Sequence, residues 1–144
     1  MSITQKEFDF LIALEKVFDD ANPIVLAPAP LEWTRSLTAP ETKEKFLLDF
    51  RRSGFELAKY KYNKRYRQTI ILVRYCNTGR HTNPDGAEFN GAHVHLYREG
   101  FDDKFAFPIS EVGVGDNDRM NIVLEKLLKF CSVTSTPMVT PPLY

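Results

Sequence analysis

The sequence predicts an α+β domain, a two-layer fold in which about four mainly antiparallel strands pack against N-terminal helices and a C-terminal helix. Three observations carry this expectation. Apolar residues recur at three- and four-residue spacing near the N-terminus and again after residue 119, they alternate between 55 and 109, and these blocks follow one another rather than interleave. With 144 residues, the chain suits one core of ordinary size. That core is expected over residues 1–131, with 132–144 as a proline-rich tail that is extended or disordered.

The first helix is expected over residues 5–19. Thr4 and Glu7 form a capping box, Ile3 and Phe8 stand at the positions of a hydrophobic staple, and Phe8, Leu11, Ile12 and Phe18 continue the apolar stripe. The segment 23–30 holds three prolines, which lack the donor a central strand needs, so it reads as an extended connector. Pro40 followed by ETKEKFLLDFRRSG reads as a second helix over about 41–52, with Gly54 just past its end. FELAKYKYN (55–63) and QTIILVRYC (68–76), rich in aromatic and β-branched residues, form a hairpin; HVHLYRE (93–99) and KFAFPI (104–109) form another. Asp118 is placed to cap a last helix, MNIVLEKLLKFC, with Ile122, Val123, Leu127 and Phe130 on its apolar side.

Composition narrows the functional classes. The formal net charge is zero, which argues against bulk attraction to nucleic acid or an anionic surface. The charge is nevertheless unevenly placed: residues 51–67 carry seven basic side chains against Glu56, and residues 85–118 carry eight acidic ones against Arg98 and Lys104. No apolar stretch approaches the ~20 residues of a membrane span, and the N-terminus lacks the pattern of a secretion signal, so a cytoplasmic protein with no membrane partner is expected. Cys76 and Cys131 show no CxxC spacing and read as two reduced, buried thiols.

Residues 81–100, HTNPDGAEFNGAHVHLYREG, contain all three histidines. In a strand, His93, His95, Tyr97 and Glu99 point one way and Val94 and Leu96 the other. If the apolar pair faces the helices, two imidazoles, a phenol and a carboxylate line the open face, roughly 6.5–7 Å apart. Asn83-Pro84-Asp85-Gly86 is turn chemistry within a connection of sixteen residues, and a loop that long can act as a lid bringing His81, Asp85 and Glu88 over the row.

Several chemistries suit this layout. In the first, His93 and His95 act as an acid–base pair cleaving RNA without a metal, assisted by Tyr97. Arg74, Arg80, Lys61 and Arg65 then hold phosphate, and tyrosines 60, 62, 66 and 75 stack bases. In the second, the His-x-His strand binds a metal ion with help from His81, Asp85 or Glu88. The run His93-x-His95-x-x-x-Glu99 resembles the core of the cupin metal motif, but the flanking glycine spacings fail and no histidine follows residue 95. In the third, the surface binds an RNA or protein partner without chemistry. The plainest alternative is a solvated sheet face with no task. No cofactor is called for: VGVGDND (112–118) lacks the endings of nucleotide-binding loops, and no nucleophile elbow is present.

FLLDF at 46–50, HTNPDG at 81–86 and HVHLYREG at 93–100, followed by DKFAFP, together resemble a family of small uncharacterised bacterial proteins over about residues 40–131. The resemblance implies a bacterial or mobile-element origin and transfers no catalytic role. By analogy with accessory toxin–antitoxin and phage modules, it leans the expectation towards a protein that acts on or binds RNA.

Overall fold

The computed structural model describes residues 2–26, 32–51, 54–62 and 67–140, with residues 60–62 and 67–68 described by their backbone alone. It is mostly β. The elements in chain order are α1 (Gln5–Ala13), β1 (Lys16–Phe18), β2 (Ile24–Val25), β3 (Trp33–Thr38), β4 (Lys45–Arg51), β5 (Gly54–Tyr62), β6 (Arg67–Cys76), β7 (Arg80–Thr82), β8 (Glu88–Asn90), β9 (His93–Leu96), β10 (Ala106–Phe107), a 3-10 turn (Ile109–Val112), α2 (Met120–Phe130), β11 (Val133–Ser135) and β12 (Val139–Thr140). Eight strands form one mixed sheet in the order β10-β9-β6-β5-β4-β3-β1-β11, and two small sheets pair β12 with β2 and β7 with β8. Among the described residues, only β1 with β11 and β12 with β2 run parallel.

This corrects the expected four-stranded sheet under N-terminal helices. The Thr4–Glu7 capping box is present, but α1 stops at Ala13 and Lys16-Val17-Phe18 passes into the sheet between β3 and β11. The expected helix over 41–52 is strand β4. Phe46, Leu48 and Phe50 alternate into the core while Lys45, Leu47 and Asp49 do not, and both neighbours, β3 and β5, supply full ladders. A run of seven residues suits either period, and cross-strand pairing on both sides overrides helix propensity. Gly54 is therefore not a helix end. It lies in β5 opposite Cys76, where a Cβ would stand 2.5 Å from the Tyr75 carbonyl oxygen, so only glycine fits the approach. Part of the expected tail also pairs, as β11 and β12.

The hairpin β5–β6 has the alternation its sequence implies, with a bulge near Leu72, and β6, β9 and β10 follow side by side. One sheet face is apolar. Leu48, Phe50, Phe55, Leu57, Val73, Tyr75 and Val94 are buried there, and Leu127, Leu128 and Cys131 close over part of it. Asp118 does not cap α2; its carboxylate accepts from the Gly115 amide and from Lys126. Lys16 is wholly buried, and its ammonium donates to the carbonyls of Leu11 (2.5 Å), Leu14 (2.8 Å) and Cys131 (2.7 Å). One cation thus satisfies carbonyls at the ends of both helices, where backbone acceptors lack intrahelical donors. No helix among the described residues is long and apolar enough to cross a membrane.

Candidate metal centre

The antiparallel pairing of β6 with β9 sets Cys76 opposite His93 and Arg74 opposite His95. Directly opposed residues share a face, with Cβ atoms about 4.5–5.5 Å apart. The face away from the apolar core therefore carries two rows: Asp49, Glu56, Arg74 and His95 across β4, β5, β6 and β9, and Arg51, Gly54, Cys76 and His93 beside them.

The alternation of Val94 against His93 and His95 is as the sequence implies, but the expected open row is not. His93 is 3% and His95 2% exposed. The cover is the small hairpin β7–β8, which folds back so that the His81 ring lies 4.5 Å from that of His95 and 5.9 Å from that of His93, with Phe89 6.3 Å from His93. The turn joining the two strands is Asn83-Pro84-Asp85-Gly86, closed by Gly86 N–H donating to Asn83 O (2.9 Å), with Gly86 at φ +90°. Two side chains dock the hairpin on edge strand β10. Asn83 Nδ2 donates to Ala106 O (2.9 Å) while Asn83 Oδ1 accepts from Ala106 N (2.8 Å), and His81 Nε2 donates to Lys104 O (2.8 Å).

Backbone carbonyls also orient the other two imidazoles. His93 Nδ1 lies 2.8 Å from Gly91 O and His95 Nδ1 2.9 Å from Asp103 O. A carbonyl can only accept, so each Nδ1 carries a proton, which leaves Nε2 as the nitrogen that offers a lone pair in the neutral ring. Burial, with Arg74 nearby, pushes the His95 pKa down to about 4, so its ring is neutral. Burial also raises the Cys76 thiol above its ordinary value, with Arg74 opposing. One ligand atom each of Cys76, His93 and His95 lies within 4.8 Å of the others. Donors around a tetrahedral ion stand roughly 3.5 Å apart, so small side-chain rotations would close this triad on a metal.

Of the remaining candidate residues, Arg74 joins this face, and Tyr97, Arg80, Asp85 and Glu88 do not. Strand β9 ends at Leu96, and Tyr97 turns into the core against Phe8 of α1, its hydroxyl donating to Ile3 O (2.7 Å) and accepting from Ile3 N (2.8 Å). It does not join the histidine row. Arg74 shares the face with His95 and pairs with Asp103 (3.3 Å), whereas Arg80 is exposed at the start of β7. Asp85 and Glu88 are exposed, and Asp85 Oδ1 accepts from the Ala87 amide within the turn. Tyr75 is buried in the apolar face and does not offer a ring for stacking. Lys61 lies in β5 opposite Gln68; Arg65 and Tyr66 fall outside the described residues.

Cys76 and Asn83 are the contributors that sequence reasoning passed over. Pairing β6 with β9 antiparallel across the loop would have placed Cys76 opposite a histidine; nothing local marks Asn83 as more than a turn residue. Beside Cys76, on the same face, lies a cavity of about 450 Å³ bordered by Asp49, Arg51, Glu56, Arg74 and Cys76. Burial and the neighbouring Asp49 carboxylate raise the Glu56 pKa, with Arg74 and Arg51 opposing.

No curated protein and no solved structure matches the chain. The sequence model of a family of unknown function, DUF6978, matches residues 3–133, a span that takes in Cys76 and all three histidines, and the chain therefore belongs to the DUF6978 family.

Proposed function

We propose that this protein binds a transition-metal ion of zinc type through Cys76, His93 and His95. The observation that carries the reading is the joint geometry of one thiol and two imidazoles, each ring bonded through Nδ1 to a backbone carbonyl, which leaves Nε2 as the nitrogen for a metal. Such outer hydrogen bonds are the usual companions of metal-bound histidine, because they fix the tautomer and raise ligand basicity. Mixed thiolate and imidazole donors favour zinc over magnesium or calcium. Metal binding would displace the thiol proton and link β6, β9 and, through its cover, β7–β8.

Acid–base cleavage of RNA by His93 and His95 has less support. That chemistry needs a phosphodiester within hydrogen-bond reach of both rings, and the hairpin covers them.

The test is metal titration of the full chain. Cobalt(II) is expected to bind one ion per chain with a sulfur-to-metal charge-transfer band, and zinc in hundredfold excess over its Kd to raise Tm by roughly 5–10 °C. Cys76→Ser should lose the band and His93→Gln should lose the affinity, with both variants folded. No band and no zinc-dependent Tm in the wild type would refute the reading.

A further inference from the structure

The cavity beside Cys76 and the metal triad share a wall. His93 and His95 are sealed under the hairpin, while Cys76 is half-buried and borders the cavity. Three protein donors leave a tetrahedral ion one position short, the pattern of sites that admit water or substrate. Of the three triad residues, Cys76 is the one that lines the cavity, and about 450 Å³ is room for a small molecule.

The cavity lining indicates what that molecule carries. Arg74 borders it from the row next to Cys76, with its Nη2 held by Asp103 at 3.3 Å. Its Nε is buried and finds no hydrogen-bond partner among the described residues. A buried guanidinium N–H without an acceptor is costly, and an oxyanion is its natural partner. Arg51 stands on the same wall. The two acids of the cavity are partly engaged: the Thr34 hydroxyl donates to the Asp49 carboxylate, and Glu56 lies cross-strand from Arg74. A bound dication would outweigh its single thiolate ligand and tip the cavity towards positive charge.

We infer that the cavity is the ligand cleft of the metal centre and takes a small molecule bearing an oxyanion, carboxylate or phosphate, held between Arg74 and the metal's fourth position. This rests on the metal reading above.

The experiment uses the cobalt(II)-loaded full chain, titrated separately with acetate and with inorganic phosphate. The sulfur-to-metal band reports the metal, and the ligand-field bands report its fourth position. A saturable ligand-field shift whose Kd weakens about tenfold or more in Arg74→Met, with the sulfur band kept, supports the inference. Whichever anion shifts the bands at lower concentration identifies the oxyanion. Arg51→Met, on the same wall, gives the same direction of change and serves if Arg74→Met does not fold. A sulfur band with no shift by either anion overturns the cleft while leaving the metal site, and is the result expected if His81 swings in as fourth ligand. A shift of equal affinity in both arginine variants also overturns it. Absence of the sulfur band overturns the metal reading itself.

Discussion

Asn83 and Ala106 exchange two hydrogen bonds across 23 residues of sequence, the side-chain amide of one reading the backbone of the other like an extra strand. This contact and the His81 bond to Lys104 O hold the β7–β8 hairpin on edge strand β10 and so keep His93 and His95 dry. It also blunts an edge that would otherwise be open to pairing with another chain.

Asn83→Ala should therefore free the hairpin. The expected cost is about 1–3 kcal/mol, the loss of two buried hydrogen bonds. Amide exchange should quicken at Ala106 and along 80–90 while β5 and β6 stay protected. Unchanged exchange at the hairpin would show that the clamp is not what holds it.

The buried neutral state of His95 makes the metal-free protein acid-sensitive. Its folded pKa of about 4 lies below the unfolded value of about 6.5. Between these values the unfolded chain holds a proton that the folded one lacks, so stability falls as pH drops from 6.5 to 4, by on the order of 3 kcal/mol in total. Above pH 6.5 the contribution is fully present. Urea unfolding across this window should show the slope in wild type and a flatter one in His95→Gln; equal slopes would mean the ring is not held neutral.

Tyr97→Phe removes the hydroxyl that ties Ile3 to the core and nothing in the metal triad. The expected outcome is a loss of about 1–2 kcal/mol, earlier fraying before α1, and unchanged cobalt affinity. A weakened metal site would instead connect Tyr97 to the histidines.

Lys16→Met keeps an unbranched apolar stem but removes the ammonium that lies 5.0 Å from the Phe46 ring centroid and leaves the carbonyls of Leu11, Leu14 and Cys131 without their shared donor. The expected destabilisation is about 2–4 kcal/mol, read as a lower urea midpoint with unchanged m-value. A change under about 0.5 kcal/mol would mean the carbonyls find other partners.

What the sequence alone determines here is local. The Thr4–Glu7 box, the Asn83–Gly86 turn, the β5–β6 hairpin, helix α2 and the opposition of Val94 to His93 and His95 each depend on residues a few positions apart, so propensity and side-chain period suffice to read them. Lys16–Phe18 and Lys45–Arg51 were illegible because a few residues suit a helix or a strand, and only the presence of ladder partners on both sides decides between them. The metal triad is decided later still. Cys76 meets His93 through the register of two strands separated by a sixteen-residue connection, and the rings are buried because that connection folds back and clamps itself with Asn83. Strand pleating sets which way a side chain points; whether that direction meets water, a thiol or another imidazole depends on long-range packing, which no local pattern encodes.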